Sequence, residues 1–95
     1  MAWIYILRCA DESLYVGATT DLPSRIADHR AGKGGAYTSR RRPVVLAYSE
    51  ECADIRAAVA RERQIKRWTR QKKQALIHGD FDSLSKLARR RPRNS

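Results

Sequence analysis

Tyr5 and Tyr15 stand in short apolar segments, Arg25 and His29 one helical turn apart in an amphipathic segment, Tyr37 in a glycine-rich basic stretch, and Glu62 and Lys66 one turn apart farther on. Brought together, these side chains offer one carboxylate, several phenols and a few cations. Such a donor set suits a single hard divalent cation bridging to a phosphate oxygen. Acyl transfer and nucleotide binding find less support. No serine or cysteine sits in an evident nucleophile elbow, no second carboxylate accompanies Glu62 for a two-metal site, and Gly32-Lys33-Gly34-Gly35 lacks the spacing of a phosphate-binding P-loop. Cys9 and Cys52 are far apart and His29 and His78 are isolated, which argues against a zinc cluster. The cysteines read as small core residues in a reducing compartment.

Each of these residues also has an ordinary structural reading. A strand tyrosine is usually an amphipathic packing residue, Arg25 and His29 can form a polar helix edge, and Tyr37 can cover a rim of the core. An exposed Glu62–Lys66 pair is commonly a helix salt bridge contributing ~0.3–0.5 kcal/mol. Two features favour chemistry: the polar residues come from several elements at once, and Glu62 is the only acid between Ile55 and Gly79, a span with eight Lys or Arg.

The elements that must position them follow from pattern. Residues 3–9 (WIYILRC) and 14–19 (LYVGAT) flank Ala-Asp-Glu-Ser and read as a β-hairpin. The first strand is apolar on both faces and so belongs at the centre of a covered sheet. Tyr5 and Tyr15 share a face only if paired residue numbers sum to an even value. A two-residue turn at Asp11-Glu12 gives an odd sum, so a site with both tyrosines requires a three-residue turn or a bulge. A helix is expected over 22–31, capped by Thr20 or Asp21 and ended by Gly32, with Leu22, Arg25, Ile26 and His29 on its inner face. Residues 32–42 read as an exposed, mobile basic loop leading to a third strand at 44–49. A long helix over 53–69 follows, its apolar stripe made of Ile55, Ala58, Val59, Ile65 and Trp68 with Glu62 at the middle, then a shorter helix over 70–78. A capped segment over 80–88 and a disordered basic tail complete the chain. The expected fold class is α+β: a three-stranded, mostly antiparallel sheet flanked by helices in the order β-β-α-β-α-α. Residues 1–79 form the domain and 80–95 a short helical extension with its tail.

The chain has 95 residues, 42% of them hydrophobic, and a net charge of +10. That is enough for one modest core. The excess of base lies in the second half, where residues 51–95 hold 13 basic and 5 acidic side chains. A polyanionic partner is therefore expected, with nucleic acid favoured over a membrane surface because no lipidation signal accompanies the basic excess and the aromatics lie apart from the basic runs, and no apolar run approaches the ~18 residues of a span. Lys33, Arg40, Arg41, Arg63, Lys66, Arg67 and Arg70 are the candidates for phosphate contacts, while the Arg89–Arg93 run reads as solvated charge or nonspecific contact. The first ten residues lack the organisation of a signal peptide, so a cytoplasmic protein is expected.

The order Trp3-Ile4-Tyr5, Tyr15-Val16-Gly17, Arg25, His29, Tyr37, Glu62 resembles the GIY-YIG nuclease family. The likeness spans residues 2 to about 77 and is greatest to the small stand-alone bacterial members of the YhbQ-like type, with LYVGATTDLPSRIADHRAGKGGAYT and RERQIKRW as its most characteristic segments. The resemblance implies an endonuclease hydrolysing phosphodiesters with one Mg²⁺ or Mn²⁺, on DNA more than on RNA. It implies Tyr15 as general base or holder of the attacking water with Tyr5 beside it, Arg25 on the scissile phosphate, Glu62 on the metal, and His29 and Tyr37 completing the network. Trp3 stands where the first triplet has glycine, and the late asparagine of many members has no counterpart before Asn94. A noncatalytic nucleic-acid-binding module on the same scaffold is the alternative.

Overall fold

Strands β1 (Ala2–Arg8) and β2 (Leu14–Thr19) pair antiparallel with Trp3 opposite Thr19, Tyr5 opposite Gly17 and Leu7 opposite Tyr15. In this computed structural model, which describes residues 1–80, the register has the even sum that puts Tyr5 and Tyr15 on one face. The loop supplies it. The Cys9 amide donates to the Ser13 carbonyl at 2.9 Å, the Glu12 amide returns to the Cys9 carbonyl at 2.9 Å, and Glu12 has φ 69°. This is a three-residue hairpin loop, a turn followed by one left-handed residue. Asp11 tightens it by accepting from the Ser13 amide at 3.0 Å and from its hydroxyl at 2.6 Å.

Strand β3 (Val45–Cys52) pairs antiparallel with the other side of β1, giving the sheet order β2-β1-β3 with the expected central strand. The register slips by one residue between Ile6 and Leu7, so Ala47 is the extra residue of a bulge. The strand runs three residues past the expected end, because Glu50 and Cys52 continue to pair with Ile4 and Ala2.

Two cores lie on opposite faces of this sheet. On one, Ala2, Ile4, Ile6 and Val16 pack against Ala58 and Ile65 of α3 (Ile55–Lys66) and Leu76 of α4 (Arg70–Ile77). On the other, Tyr5, Leu7 and Cys9 pack with Ile26 and Leu22 of α1 (Leu22–Arg30) and with Val44. Asp21 caps α1 by accepting from the Ser24 amide, Pro23 lies in the first turn, and the helix ends in a Schellman motif. There Gly32, at φ 83°, donates to the His29 carbonyl, and Lys33 donates to that of Asp28.

The expected long helix over 53–69 is shorter at both ends. Asp54 is its N-cap, accepting from the Ala57 amide at 2.9 Å, and Thr69 adopts extended backbone to cap α4 instead. Ile55 therefore lies at the exposed start of α3, outside the apolar stripe. The largest departure is in residues 32–42. Instead of an open loop, Ala36–Ser39 forms a short helix, α2, with Gly34 and Thr38 buried. The observed order is thus β-β-α-α-β-α-α. Arg61 of α3 grips Glu50 of β3 through Nε at 3.0 Å and Nη2 at 3.3 Å, while Tyr48 donates to Glu50 at 2.7 Å, fixing the rotation of α3 against the sheet. Burial and the adjacent Glu50 carboxylate push the Tyr48 phenol up to about 12. The expected segment over 80–88 and the basic tail fall on residues 81–95, outside the described residues.

A left-handed Glu12 costs ~1–2 kcal/mol, against the ~0.4–1 kcal/mol that glycine's freer unfolded chain would cost. Glu12→Gly should accordingly raise the unfolding free energy by roughly 0.5 kcal/mol in urea titration, and a loss of stability would show that this loop does not set the register.

Candidate active site

The even register and the inner face of α1 converge on one cluster. Tyr5, only 1% exposed, bonds through its hydroxyl to His29 Nε2 at 2.9 Å, and the opposite ring nitrogen, Nδ1, meets Thr38 Oγ1 at 2.8 Å. His29 and Thr38 are fully buried. The rings continue outward: Tyr15 lies 5.2 Å from the His29 centroid and 6.5 Å from that of Tyr5, and Tyr37 lies 5.7 Å from Tyr15 at the half-exposed rim. The Arg25 guanidinium lies close enough to the Tyr5 hydroxyl to act on its ionisation.

Two glycines make room for this packing. A Cβ on Gly17, directly across the hairpin from Tyr5, would overlap Cζ and Oη of the Tyr5 ring. A Cβ on Gly34 would overlap Nδ1 and Cγ of His29. Neither collision has a flexible partner, because both rings are buried and hydrogen-bonded.

Electrostatics divide the cluster by depth. Burial pushes the Tyr5 phenol up, Arg25 opposes that rise, and the charges of Tyr15 and Glu62 add to it. Burial pushes the His29 imidazole down, with the Arg25 charge acting in the same direction. Tyr5 is thus held as a phenol and His29 as a neutral imidazole at pH 7. Arg25 is pushed up, mainly through its interaction with the Tyr5 hydroxyl. Tyr15 keeps some contact with solvent.

Glu62 occupies α3 between the buried Ala58 and Ile65, its side chain 18% exposed and 3.0 Å from the Lys66 ammonium. Its carboxylate is near enough to Tyr5 for its charge to act there. Tyr5, Tyr15, His29 and Tyr37 therefore meet through rings and hydrogen bonds, and Arg25 and Glu62 join them through their charges. Among the described residues no group of three or more His, Cys, Asp or Glu is placed to hold a metal ion.

The basic residues separate into two kinds. Lys33, Arg40, Arg63, Lys66, Arg67 and Arg70 are exposed. Arg41 is engaged internally: its Nε donates to Asp11 at 3.0 Å, its Nη1 to the Tyr37 carbonyl at 3.0 Å, and its guanidinium lies 3.8 Å from the Tyr37 ring centroid. It ties the hairpin loop to α2 and backs Tyr37 against Tyr15. Lys73 is pushed down by burial and by the charges of Arg70 and Lys66, which marks these three as one positive cluster beside Glu62.

Residues 1–75 match the model of the GIY-YIG catalytic domain. This chain belongs to the GIY-YIG family. It is 52% identical over 81 residues to a UPF0213 protein of the archaeon Haloquadratum walsbyi, covering 84% of this chain and 90% of that one. It is 49% identical over 75 residues to a UPF0213 protein of Staphylococcus haemolyticus, covering 79% and 92%. The solution NMR structure of a UPF0213 protein from Bacillus halodurans superposes with a TM-score of 0.53 at 38% identity, covering 82% of this chain and 84% of that one. The three-stranded antiparallel sheet with flanking helices is the architecture they share. Gly34, Thr38 and Asp11 are site-building residues that sequence reasoning missed. Gly17 stood within a recognised triplet, yet only its pairing opposite Tyr5 explains it.

Gly17→Ala should cost about 1–3 kcal/mol by overpacking and displace the Tyr5 ring, read by urea titration and by loss of the Tyr5 ring contacts to His29 in NMR spectra. Protonation offers a second check. His29 has a folded pKa below its ordinary 6.5, so the unfolded chain takes up the proton first as pH falls. Its contribution to stability is complete above about 6.5 and shrinks as pH drops from there toward the folded value. Between about pH 7.5 and 5.5 the wild type should lose more stability than His29→Gln, and equal losses would place a charged His29 in the folded protein.

Proposed function

We propose that this protein is a metal-dependent endonuclease that hydrolyses phosphodiester bonds in DNA, selecting by shape more than by sequence. The observation that carries the reading is the convergence of Tyr5, Tyr15, Arg25 and His29 on one face of the hairpin, with the Glu62 charge felt at Tyr5, in a chain of the GIY-YIG family. Arg25 binds the scissile phosphate, its planar set of donors matching phosphate oxygens and its charge balancing what develops on them in an in-line displacement. Tyr15, beside His29 and with some access to solvent, orients the attacking water and takes its proton. Tyr5 is too deeply buried and too firmly protonated for that role, and fixes Arg25 instead. His29 and Tyr37 hold Tyr5 and Tyr15 in place.

Glu62 would hold the cation, one Mg²⁺ or Mn²⁺. The fit is that of a site with a single protein carboxylate, half-buried, paired with Lys66 and with its charge felt at Tyr5, with the remaining ligands left to water and phosphate oxygens, as Mg²⁺ prefers. When bound, such an ion stabilises negative charge on the phosphate and lowers the pKa of water and phenol nearby. Lys33, Arg40, Arg63, Lys66, Arg67 and Arg70 would follow the sugar-phosphate backbone, a contact that carries no sequence information. No described helix is long and apolar enough to cross a membrane.

Purified protein should cut labelled single-stranded, duplex, flapped or branched DNA only with Mg²⁺ or Mn²⁺. Glu62→Gln and Arg25→Ala should each lower the rate by on the order of a hundredfold or more while leaving nucleic-acid affinity nearly unchanged for Glu62→Gln. Binding without cutting on every DNA and matched RNA would establish a noncatalytic binding module, and cutting confined to RNA would reassign the substrate.

A further inference from the structure

Thr38 is buried in a position that no role in hydrolysis explains, and among the described residues its side chain bonds to His29 Nδ1 at 2.8 Å. The imidazole between it and Tyr5 has two nitrogens and, when neutral, one proton. Which nitrogen carries it decides what the Tyr5 oxygen can do, and three features of the cluster settle the matter.

First, the Arg25 guanidinium beside the Tyr5 hydroxyl consists only of donors, so it can use that oxygen's lone pair and cannot accept its proton. Second, Tyr5 is 1% exposed, and its proton has His29 Nε2 as an acceptor 2.9 Å away. A proton on Nε2 would aim two kinds of donor at one oxygen and turn the buried phenol's own proton away from that nitrogen. Third, a hydroxyl at Nδ1 can accept, which lets the ring proton reside on that side.

We infer that Thr38 is a positioning residue: by accepting from Nδ1–H it holds His29 in the tautomer whose Nε2 accepts the Tyr5 proton, leaving the Tyr5 oxygen to orient Arg25. The two hydrogen bonds of the imidazole run in one direction, from Tyr5 to His29 and from His29 to Thr38, with the Arg25 charge beside the Tyr5 oxygen and no net transfer of a proton. Gly34 belongs to the same arrangement, since a Cβ there would press on the Nδ1 edge of the ring. The short helix α2 thus serves two rings from adjacent positions, Tyr37 against Tyr15 and Thr38 against His29. The effect of this tautomer on catalysis rests on the nuclease reading above; the tautomer itself does not.

Long-range ¹H–¹⁵N spectra of the intact protein labelled at histidine, with His29→Gln to assign the signals, read the tautomer directly and without substrate. The expected result is a protonated Nδ1 and an unprotonated Nε2 at His29. Thr38→Ser should retain this pattern, whereas Thr38→Val should move the proton wholly or partly to Nε2. In Mn²⁺-supported cleavage, Thr38→Val should lower kcat by about tenfold or more, as a mis-set histidine tautomer does elsewhere, with Thr38→Ser restoring most of the rate. A protonated Nε2 in the wild type overturns the inference even if the protein cleaves DNA. A wild type that shows the expected tautomer and cleaves nothing sustains the Thr38 assignment and overturns the nuclease reading. If Thr38→Val fails to fold, the wild-type and Thr38→Ser spectra still decide.

Discussion

A buried phenol and a buried imidazole can share one core only if each satisfies the other, and the bond between Tyr5 and His29 is the constraint from which the rest of this cluster follows. It requires empty space where Gly17 and Gly34 stand, because a methyl group at either position would displace one ring. It requires a partner for the remaining imidazole nitrogen, which brings Thr38 inward and folds the segment around it into α2. It also holds both groups uncharged, because burial raises the phenol and lowers the imidazole. The site is organised outward from this neutral centre, with Arg25, Tyr15 and Glu62 around it, each partly exposed.

The two faces of the sheet differ in what they hold. The face against α3 and α4 is almost wholly aliphatic, built from Ala2, Ile4, Ile6, Val16, Ala58, Ile65 and Leu76, and carries the ordinary hydrophobic stabilisation of a small domain. The face against α1 mixes Leu7, Ile26 and Val44 with Tyr5 and His29, so polar chemistry is built directly into a core. Strand β1 belongs to both, and its central place keeps Tyr5 rigid from either side. The grip of Arg61 on Glu50 joins α3 to the edge strand and thereby sets where Glu62 faces.

Charge follows a similar division. The net +10 of the chain is not one undifferentiated surface. Arg41 and Arg61 are bound to Asp11 and Glu50 and lie against Tyr37 and Trp68, where they brace the fold. Lys66, Arg70 and Lys73 instead crowd one another, with Lys66 paired to the single acid of that region, an arrangement that the negative charge of a phosphate backbone would relieve.

Much of this was present in the order of residues. Two β-prone segments around a short polar run, an amphipathic helix with an arginine and a histidine on its inner face, and one acid in a basic helix all follow from local pattern, and so the strands, α1 and the candidates Tyr5, Tyr15, Arg25, His29 and Glu62 were legible, with Tyr37 assigned by the family resemblance. What local pattern could not supply was every feature that depends on a partner distant in the chain. The hairpin register hung on whether Glu12 would take a left-handed conformation, and nothing in its side chain favours that. Residues 32–42 read as an open loop because glycine and arginine have no apolar period, while the contacts that hold the segment come from other elements, His29 of α1 to Thr38 and Asp11 of the hairpin loop to Arg41. Arg40 and Arg41 are identical as letters; only the arrival of Asp11 and Tyr37 beside one of them makes it a brace and leaves the other in solvent. The sequence by itself determined most of the inward positions of β1 and α1, because those are a matter of period along one element. The tertiary structure decided which of them touch, because hydrogen bonds and excluded volume act between elements that the sequence does not place side by side.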